Sequence, residues 1–462
     1  MTARQTVTGR QAVTAREAGT AQEPAARQQP GAPREHIVVL HRWRDQHAHY
    51  ADYLDHAASR VSYVTTELGR ASVPPAAAAV AVVAATDSLA EVRTAVAGLV
   101  ARFGPARYLV ALNEGDLDTA AELRAELGLP GQRSLDVERF RDKLTMVAVA
   151  DRAGVPVPGY ADAPDRAAVA AFAAEHGWPV VVKPRRGTAS RGVRVLAGPQ
   201  DLERLGSPEA PGAPEAPGAP EAAGAPGPLG GLAAEPHLVQ SFVADPVFHI
   251  DGLWTGERLG PWRASRYVNS CREFTEGAFL GSVEVDDPEL LGPIEEFTAA
   301  VAGALGDGLP WVFHLEAFVG TGPDGAPRPT FLEAGARVGG AEIPFVWREV
   351  HEVDLMAAAM DIQLGRTPAE GLLGPGRTAG WLLLPVPVEP PCRVIEVDSG
   401  PGPEDGPYAR VVPAPGALIP RTGGYEHVAA RFRFRGASSR EVEAAIVRTA
   451  TAFSMHCESL PA

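Results

Sequence analysis

Cysteine is scarce: three in 462 residues, Cys271, Cys392 and Cys457, far apart and odd in number. That excludes a disulfide framework, and no two of them have the close spacing of zinc ligands. We read all three as small apolar residues. No hydrophobic run reaches the roughly 20 residues needed to cross a bilayer; the stretch VPPAAAAVAVVAAT near 73–86 is alanine-rich and opens on prolines. Residues 1–34 carry Arg, Gln, Thr and Ala without a hydrophobic centre. They lack the pattern of a secretory signal. We expect a disordered tail there, with a transit peptide as the alternative, and a cytoplasmic protein. An excess of positive charge is also missing. The formal net charge of −15 argues against nucleic acid or an anionic membrane as the main partner. Hydrophobic residues at 45% and charged residues at 21% are ordinary globular values, and the length suffices for two or three domains.

From His36 the pattern alternates. HIVVLHRW (36–43) reads as a buried strand, His47–Ala58 as a helix, and VSYVTT and AVAVVAA as strands. A helix near Leu89–Phe103 precedes RYLVALN (107–113), another strand, and then comes an amphipathic helix closing at Gly131. Such alternation predicts a small parallel α/β domain over 35–132. Sheets of that kind hold ligands at the carboxyl ends of their strands, so Asn113 and Glu114 either face a ligand or cap the following helix. Further on, Ser207–Gly231 repeats APEAPG with almost no apolar bulk and should be disordered or extended. After a helix over Glu349–Leu364, GWLLLPVPV, CRVIEV, YARVVPAPG and RFRFRG read as short strands, followed by a final helix over Ser439–Met455. These predict an antiparallel α+β lobe.

Chemistry concentrates in two stretches. WVFHLEAFV and PTFLEAG place Glu316 and Glu333 on two apolar runs joined by the turn-rich TGPDGAPRP, the signature of a β-hairpin. Arg337 and the pair Gly339–Gly340 follow. Two carboxylates beside a cation and a flexible loop suit Mg²⁺, which combines carboxylates with substrate phosphates; the same pattern also fits two acids on the solvent face of a hairpin. Upstream, PVVVKPRRGTASRGVRVL (179–196) sets Lys183 at the end of a strand before a loop of small residues. A lysine there can neutralise phosphate oxygens while loop N–H groups wrap them. The order is not that of a P-loop, and a surface hairpin with a solvated lysine is the alternative.

In order and spacing these segments resemble the ATP-grasp superfamily, and within it the carboxylate–amine ligases of L-amino-acid-ligase type. The resemblance covers about 105–360, and the tail from Gly376 is similar to the C-terminal lobe of those ligases. It rests on RDKLTMVAVADRAGVPVPGY (141–160), VVVKP, HLVQSFVADPVFHIDGLW (237–254) and HLE with FLEAGARVGG. It implies a mixed α/β and α+β multidomain chain with a disordered tail at 1–34. An N-terminal Rossmann-like pre-ATP-grasp domain would span 35–132. The ATP-grasp module would cover 133–375, with a lid about 144–245 carrying a disordered insert at 206–231, and a C-terminal antiparallel lobe would span 376–462. ATP would be held by Lys143, Lys183, Ser190 in the loop, and the hinge residues Gln240, Ser241 and Val243. Glu316 and Glu333 would bind Mg²⁺ (or Mn²⁺), and Arg337 would be catalytic. Gly187 and Gly192 would let the phosphate loop close.

The resemblance implies ATP-dependent activation of a carboxylate as an acyl phosphate and its capture by an amine, releasing ADP and phosphate. Both substrates would be small molecules; a carrier protein as acceptor, or a silent nucleotide-binding protein, are the alternatives. Members often dimerise, so a homodimer is a further expectation. No Met-Lys-Met biotin attachment motif is present. The chain departs from the pattern at Gln240, usually glutamate, at Gly335, usually asparagine, and at Val247, near the usual ribose-binding glutamate. His249 or Asp251 would then take the ribose. Weaker candidates are His314 in support of the metal site, Arg266 and Arg272 for a substrate carboxylate, and Trp347 and Arg348 for the acceptor pocket.

Overall fold

The computed structural model describes residues 34–187, 191–205, 235–269, 273–274, 277–371, 373, 376–402, 406–420 and 428–460. The expected tail, the Pro/Ala/Gly insert, Ser190, Cys271 and Arg272 lie outside the described residues.

Strands β1 (His36–His41), β2 (Arg60–Thr65), β3 (Ala79–Val82) and β4 (Ala106–Ala111) form a parallel sheet in the order β3-β2-β1-β4. Both faces of β1 are covered, which is why its apolar run does not alternate. Val38, Leu40 and Leu109 pack under the helices Leu89–Phe103 and Leu117–Leu127. Ile37, Val39 and Val110 turn into a second cluster with Trp347 and Met356. The chain runs from β1 to β2 and β3 on one side and returns to β4 on the other. The crevice of such a sheet opens where the order reverses, at the carboxyl ends of β1 and β4. Residues 113–116 lie there. The helix expected over His47–Ala58 shrinks to a turn, Tyr50–Tyr53. Asp55 explains this, because its carboxylate accepts from the N–H groups of Ala57 and Ala58, both at 2.9 Å, and competes with helix continuation.

Next come β5 (Tyr160–Asp162), β6 (Val180–Pro184), β7 (Arg194–Leu196) and β8 (His237–Ser241), an antiparallel sheet in the order β5-β8-β6-β7. Val180, Val182 and Val239 face the helix Arg166–His176 through Val169 and Phe172. Because strand side chains alternate, Lys183 points to the other face, as does Gln240, whose pairing partner is Val181. Strand period thus sets a buried lysine and a buried amide on one surface.

The remaining strands are β9 (Val247–Trp254), β10 (Leu259–Tyr267), β11 (Leu280–Glu284), β12 (Trp311–Thr321), β13 (Pro327–Gly335), β14 (Thr378–Leu384), β15 (Cys392–Asp398), β16 (Ala409–Val411), β17 (Leu418–Ile419), β18 (Ala430–Gly436) and β19 (Ser454–Ser459). Eight of them form one sheet, β13-β12-β9-β10-β11-β14-β18-β16, and β17-β15-β19 form a small one. The strands expected to form the C-terminal antiparallel lobe pair antiparallel, and β14, β16 and β18 among them continue the central sheet. The expected helix over Glu349–Leu364 is two helices, Ile343–Val350 and Leu355–Gln363. Glu352 at φ 59 breaks the run, and Asp354 caps the second helix through the N–H groups of Met356 and Ala357. The last helix ends at Ala452, leaving β19 to pair with β15. Among the described residues no helix is long and apolar enough to cross a membrane.

Candidate active site

The hairpin β12–β13 sets Glu316 directly opposite Glu333. Along β12 the residues alternate from His314 onward. Leu315, Ala317 and Val319 are buried in the cluster built on the helices Lys143–Arg152 and Pro288–Gly306, while His314, Glu316 and Phe318 face the other way. On β13 the register slips: Glu316 pairs with Glu333, but Ala317 pairs with Phe331, so Leu332 is an extra residue. This is a β-bulge. Without it Phe331 and Glu333, two apart, would share a face. With it Phe331 and Ala334 stay in the core and Glu333 joins Glu316.

Cations meet these acids. The Lys143 ammonium lies 3.1 Å from Glu333 Oε2 and donates to the Gly187 carbonyl at 3.0 Å. Lys143 is the first residue of its helix, behind the cap Asp142, whose carboxylate accepts from Thr145 N–H (2.9 Å) and from Arg185 Nε (2.9 Å). A cation at a helix N-terminus opposes the helix dipole, costing roughly 0.3–1 kcal/mol. Helix stability therefore does not explain this lysine. Lys183 is only 4% exposed. Burial pushes its ammonium down to about 8; Glu333 and Glu316 pull it back up, and Lys143 adds to the depression. Burial would raise Glu333, but Lys143, Lys183 and Arg337 outweigh it and hold the carboxyl down to about 2. Two carboxylates and two ammonium groups thus lie close enough to shift one another.

Arg337 sits behind them. Its Nε donates to Glu114 Oε2 at 2.7 Å and its Nη1 to the Val338 carbonyl at 3.1 Å. Arg141 Nη1 holds the other Glu114 oxygen at 2.7 Å. Burial opposes ionisation of Glu114, yet the guanidinium groups of Arg337 and Arg141 overcome it and lower its pKa. Glu114 follows β4 at the switch point, so the parallel sheet delivers a carboxylate to the far side of the cleft. The motif pattern that resembles E-x-N-x-R has Gly335 here. A Cβ on it would stand 3.4 Å from Arg337 Cγ and 3.7 Å from Glu114 Oε2. The arginine–glutamate pair fills the space an asparagine side chain would enter.

Comparison with solved structures matches the fold over nearly the whole chain. An L-amino acid ligase from Bacillus licheniformis gives a TM-score of 0.65 at 17% identity, covering 93% of this chain and 100% of that one. The N5-carboxyaminoimidazole ribonucleotide synthetase of Thermotoga maritima gives 0.59 at 14% identity, covering 92% and 100%. A biotin carboxylase from Campylobacter jejuni gives 0.64 at 14%, covering 92% of each chain. The chain has the ATP-grasp fold. No family model matches it. The uncharacterized protein y4rH of Sinorhizobium fredii is 39% identical over 84 residues, a match that spans only 18% of each chain.

Within this ATP-grasp fold the other expected residues fall as follows. Gln240 is buried on the Lys183 face. Ser241 turns to the opposite face, where its Oγ and the His176 ring approach Gly159, so its N–H, bonded to the Gly159 carbonyl at 2.9 Å, is spent within the sheet. Val243 is half-buried in the connection from β8 to β9. Gly187 and Gly192 have positive φ, 148 and 74. His249 is a correction: it is 2% exposed, its Nδ1 bonds Asp251 at 2.7 Å and its Nε2 bonds Ser282 Oγ at 2.6 Å, so no ring nitrogen remains for a ribose hydroxyl. The second oxygen of Asp251 is engaged by His314 Nδ1 at 2.8 Å, and at 2% exposed Asp251 is as buried as His249. Arg266 is paired with Glu443 on the last helix rather than aimed at the cleft. Trp347 is a core residue, and Arg348 donates to the His47 and Gln46 carbonyls.

The chain has 42 basic residues, and only Lys143 and Lys183 among them are lysines. Both stand in this cleft. A chain that uses arginine everywhere else keeps the compact ammonium, a point charge on a flexible stem, only at the candidate phosphate site.

Proposed function

We propose that the chain is an ATP-dependent ligase that activates a carboxylate as an acyl phosphate and joins it to an amine, releasing ADP and phosphate. The observation that supports this most directly is the Glu316–Glu333 pair facing Lys143 and Lys183 across one cleft. The donor set fits magnesium: two carboxylates, all-oxygen, with one Glu316 oxygen held by Tyr267 and the other without a hydrogen bond among the described residues. When bound there, Mg²⁺ would neutralise charge on the β- and γ-phosphate oxygens.

The chain's own groups do the rest. Lys143 and Lys183 grip the α- and β-phosphates, and the phosphate anion relieves the burial penalty on Lys183. Gln240 and the chain through Val243 take the adenine edge. Arg337, oriented by Glu114, offers a planar guanidinium to the transferring phosphoryl group or to the acceptor carboxylate. A carboxylate oxygen attacks the γ-phosphorus, the bridge to the β-phosphate breaks, and ADP leaves. The amine nitrogen then attacks the acyl carbon and expels phosphate carrying that oxygen. The cleft keeps water from the acyl phosphate between the two steps.

The test is ADP release over a panel of amino-acid pairs, with mass spectrometry of the product and ¹⁸O-carboxylate substrate. Transfer of one ¹⁸O into phosphate, with an amide of the two substrates, supports the proposal. Nucleotide binding without ADP formation for any acid and amine would sink it in favour of a silent nucleotide-binding protein. ADP formation only with a carrier thiol would replace the amine by a carrier protein.

A further inference from the structure

Behind Glu316 lies a buried polar chain that the ligase chemistry does not use. His249, Asp251 and His314 bring one ligand-type atom each within 4.8 Å of one another. Their hydrogen bonds form a line: Ser282 Oγ to His249 Nε2 (2.6 Å), His249 Nδ1 to Asp251 Oδ2 (2.7 Å), and Asp251 Oδ1 to His314 Nδ1 (2.8 Å). Asp251 spends both oxygens and His249 both nitrogens within this line. A metal ion would have to break it, so the cluster is better satisfied as a rigid strut than as an ion site.

The strut ends on the candidate metal ligand. The His249 ring packs against Tyr267, ring centres 5.1 Å apart, and Trp381 closes edge-on against the same tyrosine at 6.5 Å. So held, the Tyr267 hydroxyl donates to Glu316 Oε1 at 2.8 Å. His314 Nε2 stands 4.0 Å from the same oxygen. Gly339 locks the strut from above: a Cβ there would meet Asp251 Oδ1 at 2.5 Å and His314 Nδ1 at 2.9 Å. The loop that carries Arg337 therefore rests on the same line.

We propose that Tyr267 is a positioning residue that ties down Oε1 of Glu316 and presents the other carboxylate oxygen to the metal, with Ser282–His249–Asp251–His314 as its mount. This rests on the ligase proposal. Groups that orient a metal ligand typically change metal affinity by about 10-fold to 100-fold when removed.

The experiment measures Mn²⁺ uptake by electron paramagnetic resonance in the presence of ADP, on the full chain. Tyr267→Phe keeps the ring and should weaken Mn²⁺ binding about 10-fold or more, with metal-free ADP affinity unchanged. Ser282→Ala, at the other end of the strut, should weaken it in the same direction and by less. In Glu316→Gln, adding Tyr267→Phe should cost nothing further. Equal Mn²⁺ affinity in wild type and Tyr267→Phe overturns the inference while leaving the ligase proposal standing. Wild-type protein with ADP bound that takes up no Mn²⁺ overturns both. Stoichiometric zinc or another transition metal in the purified protein, lost on His249→Asn, would make the strut an ion site and overturn the inference as well.

Discussion

Two lysines in one chain make Lys183 directly observable. Protein grown with lysine carrying ¹³C at Cε should give two lysine signals. Lys183 should titrate near 8, because burial disfavours its charge. The sign follows from linkage. An unfolded lysine releases its proton near 10.5, the folded one near 8, so between these values the unfolded state holds more protons and stability rises with pH. Below about 8 both states are charged and the full penalty, on the order of 3 kcal/mol, is present. Lys183→Met should therefore stabilise the nucleotide-free protein at pH 7, by somewhat less than that figure because Glu333 loses a counter-charge. The gain should vanish as pH approaches 10.5. ATP should reverse the preference. Its phosphates recharge Lys183, so binding takes up a proton above pH 8, and affinity at pH 9 should be about tenfold weaker than at pH 7. Calorimetry in buffers of different ionisation enthalpy reads the proton directly. A Lys183 signal that titrates near 10.5, with ATP affinity flat from pH 7 to 9, would falsify this electrostatic account.

Three further predictions address the rest of the cleft. Glu333→Gln should keep the fold but cut metal-dependent ADP formation by about 10²–10³-fold; undiminished turnover removes it from the metal site. Gly339→Ala forces a Cβ to within 2.5 Å of Asp251 Oδ1 and Ile343 Cδ1, so the Arg337 loop must shift. Turnover should fall about 100-fold with nucleotide affinity nearly unchanged, and a simultaneous loss of ATP binding would contradict it. Glu114→Gln withdraws the anion between Arg337 and Arg141 and should cost about 1.5–3 kcal/mol in urea unfolding at neutral pH. Because Glu114 has a lowered pKa, its contribution is present above the ordinary carboxylate range and lost in acid. The wild-type and variant stabilities should therefore converge as pH falls; a constant gap would disprove it.

The strands of the parallel sheet and the hairpin with its two acids were legible because period and turn chemistry are local. The breaks were not. The helix expected over Glu349–Leu364 fails at Glu352 and Asp354, although Asp before an apolar run is a cap signal that could have split it. β19 alternates over only two apolar positions, Met455 and Cys457, a run too short to mark a strand directly after a helix, and it forms by pairing with β15. Glu114 could be placed at a strand end but not assigned a partner, since Arg337 is 223 residues away. The strut under Glu316, with Tyr267 mounted on it, is likewise a product of four strands whose order, β12-β9-β10-β11, no sequence window contains.

The bulge at Leu332 shows how far a correct sequence reading can stand from its cause. Glu316 and Glu333 were expected to share a face because they lie on adjacent strands. Regular pairing makes that depend on parity along β13. Phe331 is fully buried in the core between two helices, and two residues later a regular strand would return to that core. Glu333 would then be an unpaired carboxylate among Phe331, Ala334 and Met146, at several kcal/mol. One extra residue converts that position into the cleft residue opposite Glu316. The half-buried leucine absorbs the parity change, and Ala334 returns to the core, its N–H against the Met146 sulfur at 3.2 Å. The pairing of the two acids is thus encoded by residue count between Phe331 and Glu333 as much as by the acids themselves.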